Sequence, residues 1–250
     1  GYNHIDVRAA LKRGIIVGYT PEVLTRATAD LTMALLLSLF RRIVEGDQLI
    51  RKNKWNSIFG PYEFLGIDLY EKNIGVFGMG RIGKAVALRA SGFGMKILYH
   101  NRKRLSIKEE KKLGAKYVSL NDLFSKSDVV SIHSPFMPET HHMVDLKVLK
   151  KMKKTAFLIN TARGKIVNER DLVFALKNKI IAGAGLDVFE NEPISNNHPF
   201  AKMKNVIITP HSGSATVETR AEMARITVKN LVLSLSGKKP IYQVKAQLDH

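Results

Sequence analysis

Residues 74–87 read IGVFGMGRIGKAVA, and this stretch decides the fold. Its apolar beginning is typical of a buried strand, whereas residues 81–91 carry the apolar periodicity of a helix. Between them lies the spacing Gly78-x-Gly80-x-x-Gly83. The order of strand, glycine loop and helix predicts a dinucleotide-binding turn at the start of a Rossmann-type sheet.

Each glycine of this loop has its own physical task. Gly78 permits the tight turn, Gly80 lets a pyrophosphate approach the backbone, and Gly83 allows the helix to pack closely on the sheet. The amides of residues 79–82 are then expected to point at the phosphates, aided by the helix dipole. The alternative is a glycine-rich turn without a ligand, which the flanking strand and helix make the weaker interpretation.

A basic cluster follows the second predicted strand, residues 96–100. In this fold the end of that strand lies beside the adenosine ribose, where NAD enzymes usually carry an Asp or Glu. Here the position holds neutral Asn101, followed by Arg102, Lys103 and Arg104. The cluster predicts a site for a 2′-phosphate and a preference for NADP(H) over NAD(H), with Arg102 as the expected direct ligand. The alternative is a plain solvated basic turn.

The chain up to residue 209 continues to alternate short apolar runs with helical segments. Further strands are predicted at residues 117–118, 128–133, 156–160, 181–187 and 206–209. Helices are predicted at residues 106–113, 121–127, 146–152 and 169–178. Strands separated by short helices imply a parallel sheet covered on both faces, so the predicted fold class is α/β with a doubly wound Rossmann-type sheet.

Two further helices are predicted outside this block. Residues 27–44 are predicted to form a long helix whose apolar surface is wider than one core stripe requires, which indicates a partner. Residues 214–236 form an amphipathic helix that must pack on another segment, for which residues 1–19 are the candidate.

The composition is that of an ordinary globular protein with a strong positive charge. Of 250 residues 45% are hydrophobic, and 40 Lys/Arg against 22 Asp/Glu give a net charge of +18. This charge raises a nucleic-acid hypothesis, but no zinc finger, glycine-aromatic RNA motif or heptad-linked basic region accompanies it. We expect a basic surface that attracts anionic small molecules and no nucleic-acid partner.

Other classes of protein are limited by what the sequence lacks. The absence of cysteine excludes disulfides, thiolate metal sites and a cysteine nucleophile, and it fits a reducing compartment. The longest apolar stretch is too short to span a bilayer, and no signal peptide is visible. We expect a cytoplasmic protein with no membrane partner and no metal site.

Polar groups gather at the ends of three later strands. They lie in residues 160–164 (NTARG), 185–193 (GLDVFENEP) and 209–216 (TPHSGSAT). In open parallel sheets, ligands sit at the carboxyl ends of the strands. The three patches supply one arginine, several acids and one histidine, a set that suits acid–base chemistry on a substrate with a carboxylate.

The motifs GMGRIG, NTARG, GLDVFENEP and TPHSGSAT, in this order, resemble those of the D-isomer-specific 2-hydroxyacid dehydrogenases, and most closely the glyoxylate/hydroxypyruvate reductases. The resemblance implies that Arg163 holds the carboxylate and carbonyl of the substrate. It implies that His211 donates the proton to the carbonyl and that Glu192 pairs with this histidine. It also implies that Asp187 contacts the nicotinamide carboxamide.

The glycine loop, the basic cluster and the resemblance together define the expected cofactor contacts. Apart from Arg163, Asp187 and His211, these are Gly78, Met79, Gly80, Arg81, Ile82, Gly83, Asn101, Arg102, Lys103, His133, Ser134, Pro135, Thr161, Ala162, Ser212 and Gly213.

The resemblance also implies a second, flavodoxin-like substrate domain, most of whose N-terminal part we expect to be absent from this chain. Residues 1–20 are expected to be a remnant of that domain. Residues 21–209 are expected to form the NAD(P)-binding domain. The resemblance places the dimerisation helix, residues 27–44, in a two-fold interface, so we expect a homodimer. Residues 210–250 are expected to return to the substrate domain as a C-terminal helix.

The resulting prediction is an NADP-preferring dehydrogenase that reduces a small 2-oxoacid such as glyoxylate or hydroxypyruvate. A second interpretation stays open at this point. The same fold could serve as a non-catalytic dinucleotide-binding module that senses the cofactor or binds a protein partner.

Overall fold

A computed structural model of the protein describes residues 5–244. Within them, one seven-stranded parallel sheet has the order β3-β2-β1-β4-β5-β6-β7. The strands are β1 Asn73–Phe77, β2 Lys96–His100, β3 Ala115–Tyr117, β4 Val129–Ile132, β5 Phe157–Asn160, β6 Gly183–Leu186 and β7 Val206–Ile208. The predicted α/β class with a doubly wound parallel sheet is confirmed.

Nine α-helices accompany the sheet in the described residues. They are α1 Val7–Lys12, α2 Thr25–Phe40, α3 Ile43–Arg51, α4 Arg81–Gly92, α5 Ile107–Leu113, α6 Leu120–Lys126, α7 Leu146–Leu149, α8 Glu169–Lys177 and α9 Val217–Leu235. Apolar side chains form two core clusters, which contain Val130, Leu158 and Leu176 in one and Ile74, Val86 and Ile159 in the other. Every residue of β4, β5 and β6 is buried, as expected for strands covered on both faces.

The strand order reverses between β1 and β4, which are neighbours although β2 and β3 separate them in sequence. The connections that follow these two strands therefore run to opposite faces of the sheet, and a crevice is expected between the loops at their carboxyl ends. One of these loops begins at Gly78, whose N–H donates to His100 O. The other begins at His133, whose N–H donates to Phe77 O at 2.7 Å. The glycine loop thus lies at the topological switch point of the sheet.

The single helix predicted at residues 27–44 is wrong, because α2 ends at Phe40 and α3 begins at Ile43. Arg42 between them adopts the left-handed conformation, with φ 53°, which cannot continue a right-handed helix. Its guanidinium binds Glu45 in the first turn of α3. Most of the apolar surface predicted to meet a partner packs within the chain itself, because it belongs to buried side chains, namely Met33, Leu35, Leu36, Leu39 and Phe40.

Most other element boundaries differ from the predictions by one to three residues. The predicted strand 117–118 is β3 at Ala115–Tyr117, because residues 115–117 pair in register with Ile97–Tyr99 of β2. The predicted helix 146–152 is shorter and ends at Leu149. A sequence pattern marks where an element lies, whereas the hydrogen-bonding partner decides where it stops.

The chain divides into two compact units, Gly1–Ala27 with Ser214–His250, and Thr28–Gly213. The predicted boundaries, after residues 20 and 209, lie a few residues before these. The ends of the predicted substrate-domain segments, residues 1–4 and 245–250, lie outside the described residues. None of the described helices has the length and apolar character needed to cross a membrane.

The smaller unit joins α9 to the segment that precedes α2. Asn230 on α9 is buried, and its Nδ2 lies 3.4 Å from both Tyr19 O and Tyr242 O. Its Oδ1 accepts a hydrogen bond from Tyr242 N, and Val244 N donates to Val17 O. The predicted packing of the C-terminal helix on the N-terminal segment is therefore present.

A charged network fixes the connection from β2 to α5. Glu110 accepts two hydrogen bonds from Arg104, each 2.8 Å long, and one from the hydroxyl of Tyr99 at 2.6 Å. The Tyr99 hydroxyl accepts in turn from Leu105 N. Arg104 and then Tyr99 lower the pKa of Glu110 to about 2, whereas burial and Glu110 raise the pKa of Tyr99 to about 12.

This network predicts a pH-dependent contribution of Glu110 to stability. Its pKa is lower in the folded protein, so the contribution is present above the ordinary carboxyl value of 4.5 and is lost as the pH falls towards 2. We expect Glu110→Gln to lower Tm at pH 7, and the difference from wild type to shrink between pH 4.5 and 2. Thermal unfolding across this range is the measurement, with exposed Glu71→Gln as control. A difference that does not vary with pH would contradict the assignment.

Candidate active site and cofactor cleft

The glycine loop has the close contacts that its sequence predicts. Gly78 has φ +100°, and a Cβ there would lie 2.5 Å from Ser134 N, on the loop after β4. A Cβ on Gly83 would lie 2.2 Å from Gly78 O. Around Gly80, by contrast, a Cβ would meet no described atom within 4 Å. The loop is thus packed tightly on its protein side and open at Gly80, which fits the approach of a pyrophosphate.

One amide predicted to face the phosphates has a partner within the protein. Met79 N donates to Asn101 Oδ1 at 2.8 Å, so we correct its expected role. The side-chain amide of Asn101 joins the glycine loop to the end of β2. The amides that remain to face a phosphate are those at the start of α4, where Gly80 is the N-cap and no side chain caps the helix. The first N–H groups of a helix have no acceptor within it, and its dipole favours anions there.

The basic cluster divides into paired and unpaired cations. Arg104 is held by Glu110 through its Nε and Nη2, although 59% of its side chain is exposed. In the same first turn of α5, Glu109 binds Lys84 of α4. Arg102 and Lys103 are exposed, and neither forms an ion pair with any described residue. Of the three cations that follow Asn101, Arg102 and Lys103 are therefore the two without an ion pair among the described residues.

The loop after β4 lies against the glycine loop, as the contact of Gly78 with Ser134 shows. His133 bonds through Nε2 to the hydroxyl of buried Ser131 at 2.8 Å. Although part of its surface is exposed, desolvation lowers the pKa of His133 to about 3, so the imidazole is neutral at pH 7. Ser134 is half-buried and Pro135 is exposed. All three predicted residues thus lie at the switch point.

The loop after β5 is shaped by Asn160, to which the sequence analysis gave no role of its own. This buried side chain donates to Arg163 O at 2.9 Å and accepts from Ala162 N at 3.0 Å. Arg163 is half-buried, and its Nη1 donates to Ala162 O. Thr161 is turned away, since its hydroxyl lies 2.8 Å from that of Thr32 on α2 in a buried contact. Thr161 can therefore offer a cofactor its backbone rather than its side chain.

His211 and Glu192 meet at the ends of β7 and β6, as the sequence analysis predicts. The Nδ1 of His211 lies 2.6 Å from Glu192 Oε2, and the two side chains are 51% and 34% exposed. The other oxygen of Glu192 accepts from Phe189 N at 2.9 Å, which fixes the carboxylate to its own loop. His211 has φ 50°, a strained conformation for a residue with a side chain.

Asp187 organises the turn that carries His211. Its Oδ1 accepts from Thr209 Oγ1 at 2.6 Å and from the N–H and hydroxyl of Ser212, and its Oδ2 accepts from Gly213 N at 2.8 Å. Three of these donors share Oδ1 and one binds Oδ2, and the side chain is buried, since Asp187 is 1% exposed. The amides of Ser212 and Gly213, predicted to bind the cofactor, are engaged in the same contacts.

The loops after β5 and β6 touch through their backbones at Gly164. A Cβ at this position would lie 1.9 Å from Phe189 C and 2.4 Å from Glu190 N. Asn160, Leu186 and Ile208 are also register partners across the three adjacent strands. The structure thus brings the loops of Arg163, Glu192 and His211 to one edge of the sheet.

Comparison with known proteins agrees with this geometry. Residues 33–213 match the family described as D-isomer specific 2-hydroxyacid dehydrogenase, NAD binding domain. A glyoxylate reductase of Korarchaeum cryptofilum is 50% identical over 240 residues, which are 96% of this chain and 72% of the relative.

Solved structures agree in fold as well as in sequence. A protein of Thermus thermophilus superposes with a TM-score of 0.92 at 45% identity, covering 98% of this chain and 76% of the other. An NADPH-dependent glyoxylate/hydroxypyruvate reductase from Sinorhizobium meliloti, solved with NADP and malonate, has a TM-score of 0.88 at 37% identity, covering 98% and 75%. The chain belongs to the D-isomer-specific 2-hydroxyacid dehydrogenases, a family of NAD(P)-dependent oxidoreductases.

Proposed function

We propose that the protein reduces a small 2-oxoacid of the glyoxylate or hydroxypyruvate type, with NADPH as the preferred donor. The observation that carries the proposal is the 2.6 Å contact of His211 with Glu192, at the sheet edge that also bears the Arg163 loop. The names of the glyoxylate reductase relatives support the choice of substrate.

Three side chains divide the chemistry between them, while the bound nicotinamide supplies the hydride. Arg163 holds the carboxylate of the substrate, because guanidinium pairs with carboxylate in two parallel hydrogen bonds. His211 gives its proton to the carbonyl oxygen as the alcohol forms. Glu192 holds Nδ1 of His211, so that Nε2 is the nitrogen that transfers the proton, and the carboxylate stabilises the imidazolium before transfer.

The resemblance of the motifs to the family implies that Asp187 contacts the nicotinamide carboxamide. We propose a different role for this residue. Its carboxylate is buried and binds donors of the turn at residues 209–213, so its proposed task is to hold that turn and the strained backbone of His211.

Replacing the proton donor tests the reaction. We expect His211→Ala to lower kcat by about 10²–10⁴-fold in NADPH oxidation with glyoxylate, the usual contribution of a general acid. NADPH affinity should change little. Lys108→Ala, at an exposed position of α5, is the control and should retain wild-type turnover. Full activity of the His211 variant would refute the assignment, and a wild-type protein that binds NADPH without oxidising it would be a cofactor-binding module instead.

The preference for NADPH is supported by the charges at the end of β2. Neutral Asn101 stands where an acid would repel a 2′-phosphate, and Arg102 and Lys103 are the cations left without ion pairs among the described residues. A charge-assisted hydrogen bond contributes about 1.5–3 kcal/mol, and about 1.4 kcal/mol corresponds to tenfold in affinity. A single contact with the phosphate is therefore enough to set the preference.

Titration of the protein with NADPH and NADH at two salt concentrations tests this preference. NADPH should bind at least several-fold more tightly, with a margin that shrinks as salt rises. Arg102→Asp should reverse the order, whereas Lys108→Asp on exposed α5 should leave it intact. Equal affinities in the wild-type protein would return the cluster to a plain basic turn.

We propose a homodimer, but through a different surface from the one predicted on α2. Between α3 and β1, large apolar side chains remain exposed, including Trp55 at 53%, Ile58 at 90% and Tyr62 at 88%. The segment has internal contacts, because Phe59 stacks on Phe64 and Arg42 lies 4.1 Å from the Phe64 ring centroid. An exposed apolar segment with such contacts is typical of an interface.

Light scattering at micromolar concentration should therefore give twice the chain mass, with an interface of at least roughly 1,200 Å². We expect Ile58→Asp to shift the protein towards monomer, because a carboxylate would have to be buried without a partner. Leu235→Asp, at an exposed position of α9, is the control. A monomer mass for the wild-type protein would contradict the dimer.

A further inference from the structure

Two glutamates exchange backbone hydrogen bonds next to the proposed active site. Glu169 N donates to Glu190 Oε1 at 2.9 Å, and Glu190 N donates to Glu169 Oε1 at 2.7 Å. We call this reciprocal pair the carboxylate clasp. It joins the first turn of α8 to the loop after β6, 21 residues away. The proposed chemistry uses neither residue.

A histidine faces each carboxylate of the clasp. His142 Nε2 lies 2.9 Å from Glu190 Oε1, and His198 Nε2 lies 3.4 Å from Glu169 Oε2. The side chains of Glu190 and Glu169 are 24% and 16% exposed, so the two carboxylates and two imidazoles form a largely enclosed cluster. Placing two carboxylates close together in a largely enclosed cluster costs electrostatic free energy. The pKa of Glu169 is raised mainly by burial and in part by the charge of Glu190. An apolar contact would join α8 to the loop without that cost.

The clasp acts on the loop segment that carries Glu192. Glu190 is held by its side chain and its N–H, and its backbone nitrogen also lies against Gly164. One residue before it, Phe189 donates its N–H to Glu192, whose other oxygen binds His211. A displacement of Glu190 would therefore move the amide that anchors the Glu192 carboxylate.

We infer that Glu190 and Glu169 are positioning residues, whose clasp sets the placement of Glu192 beneath His211. The inference rests on the proposed roles of Glu192 and His211 and extends them by two residues that act through Glu192. Glu190 makes one hydrogen bond with its carboxylate and one with its backbone N–H. Together they fix the loop in position and orientation, which an apolar contact would do less accurately. An imidazole that must deliver a proton within hydrogen-bond distance depends on such accuracy.

Substitutions that differ in reach and charge separate positioning from bulk stability. Glu190→Gln keeps an oxygen acceptor for Glu169 N and should stay within about threefold of wild-type kcat. Glu190→Ala removes that acceptor, and Glu190→Asp keeps the charge but is one methylene too short. Both should lower kcat by about 10- to 100-fold, the order expected when a reacting group is misplaced by about 1 Å. Exposed Glu139→Ala is the control.

Two readouts distinguish this effect from a general loss of stability. The affinity for NADPH, measured by titration, should be unchanged in Glu190→Asp, so that the defect appears in kcat. The alkaline limb of its kcat–pH profile should move to lower pH, since a displaced Glu192 stabilises the imidazolium less. Glu190→Gln should restore the wild-type profile.

The inference is overturned if Glu190→Asp lowers Tm while kcat and the pH profile stay at wild-type values. It is also overturned if Glu190→Gln is as impaired as Glu190→Asp, because an acceptor of the right reach for Glu169 N would then not be sufficient to preserve activity. Failure of the proposed function looks different, because His211→Ala would itself remain active.

Discussion

Parallel pairing of β5, β6 and β7 is the constraint on which the proposed active site depends. Asn160, Leu186 and Ile208 are aligned across these strands, and the loop that follows each strand leaves the sheet at the same edge. Residues far apart in sequence, such as Arg163 and His211, reach this edge without any long-range motif that joins them. The close backbone contact at Gly164 then leaves no room for a side chain between the first two loops.

Carboxylates that bind backbone N–H groups hold these loops in place. Asp187 organises the His211 turn, Glu192 binds the amide of Phe189, and Glu190 binds that of Glu169. Charge-assisted hydrogen bonds of this kind are stronger than neutral ones and stabilise backbone that belongs to no helix or strand. The strained φ of His211 persists because such contacts over-determine its position.

Near the glycine loop, ion pairs with the two glutamates of α5 determine which cations are left unpaired. Glu109 binds Lys84 and Glu110 binds Arg104, so that two basic side chains become structural. Arg102 and Lys103 are left on the loop after β2. A net charge of +18 is therefore a poor guide to any single site, because its effect depends on which cations are already paired.

The sequence by itself determined the α/β class and the glycine loop, because these follow from apolar periodicity and from residue types at fixed spacing. Its motifs also identified the candidate proton donor, through their resemblance to a known family. It could not show that Arg42 breaks the apolar helix, that Met79 binds Asn101, or that Arg104 is neutralised by Glu110. Nor could it show the clasp, since an acid on α8 and an acid 21 residues later carry no joint signal. These features depend on which groups meet after the strands have paired, and local patterns contain no information on such meetings.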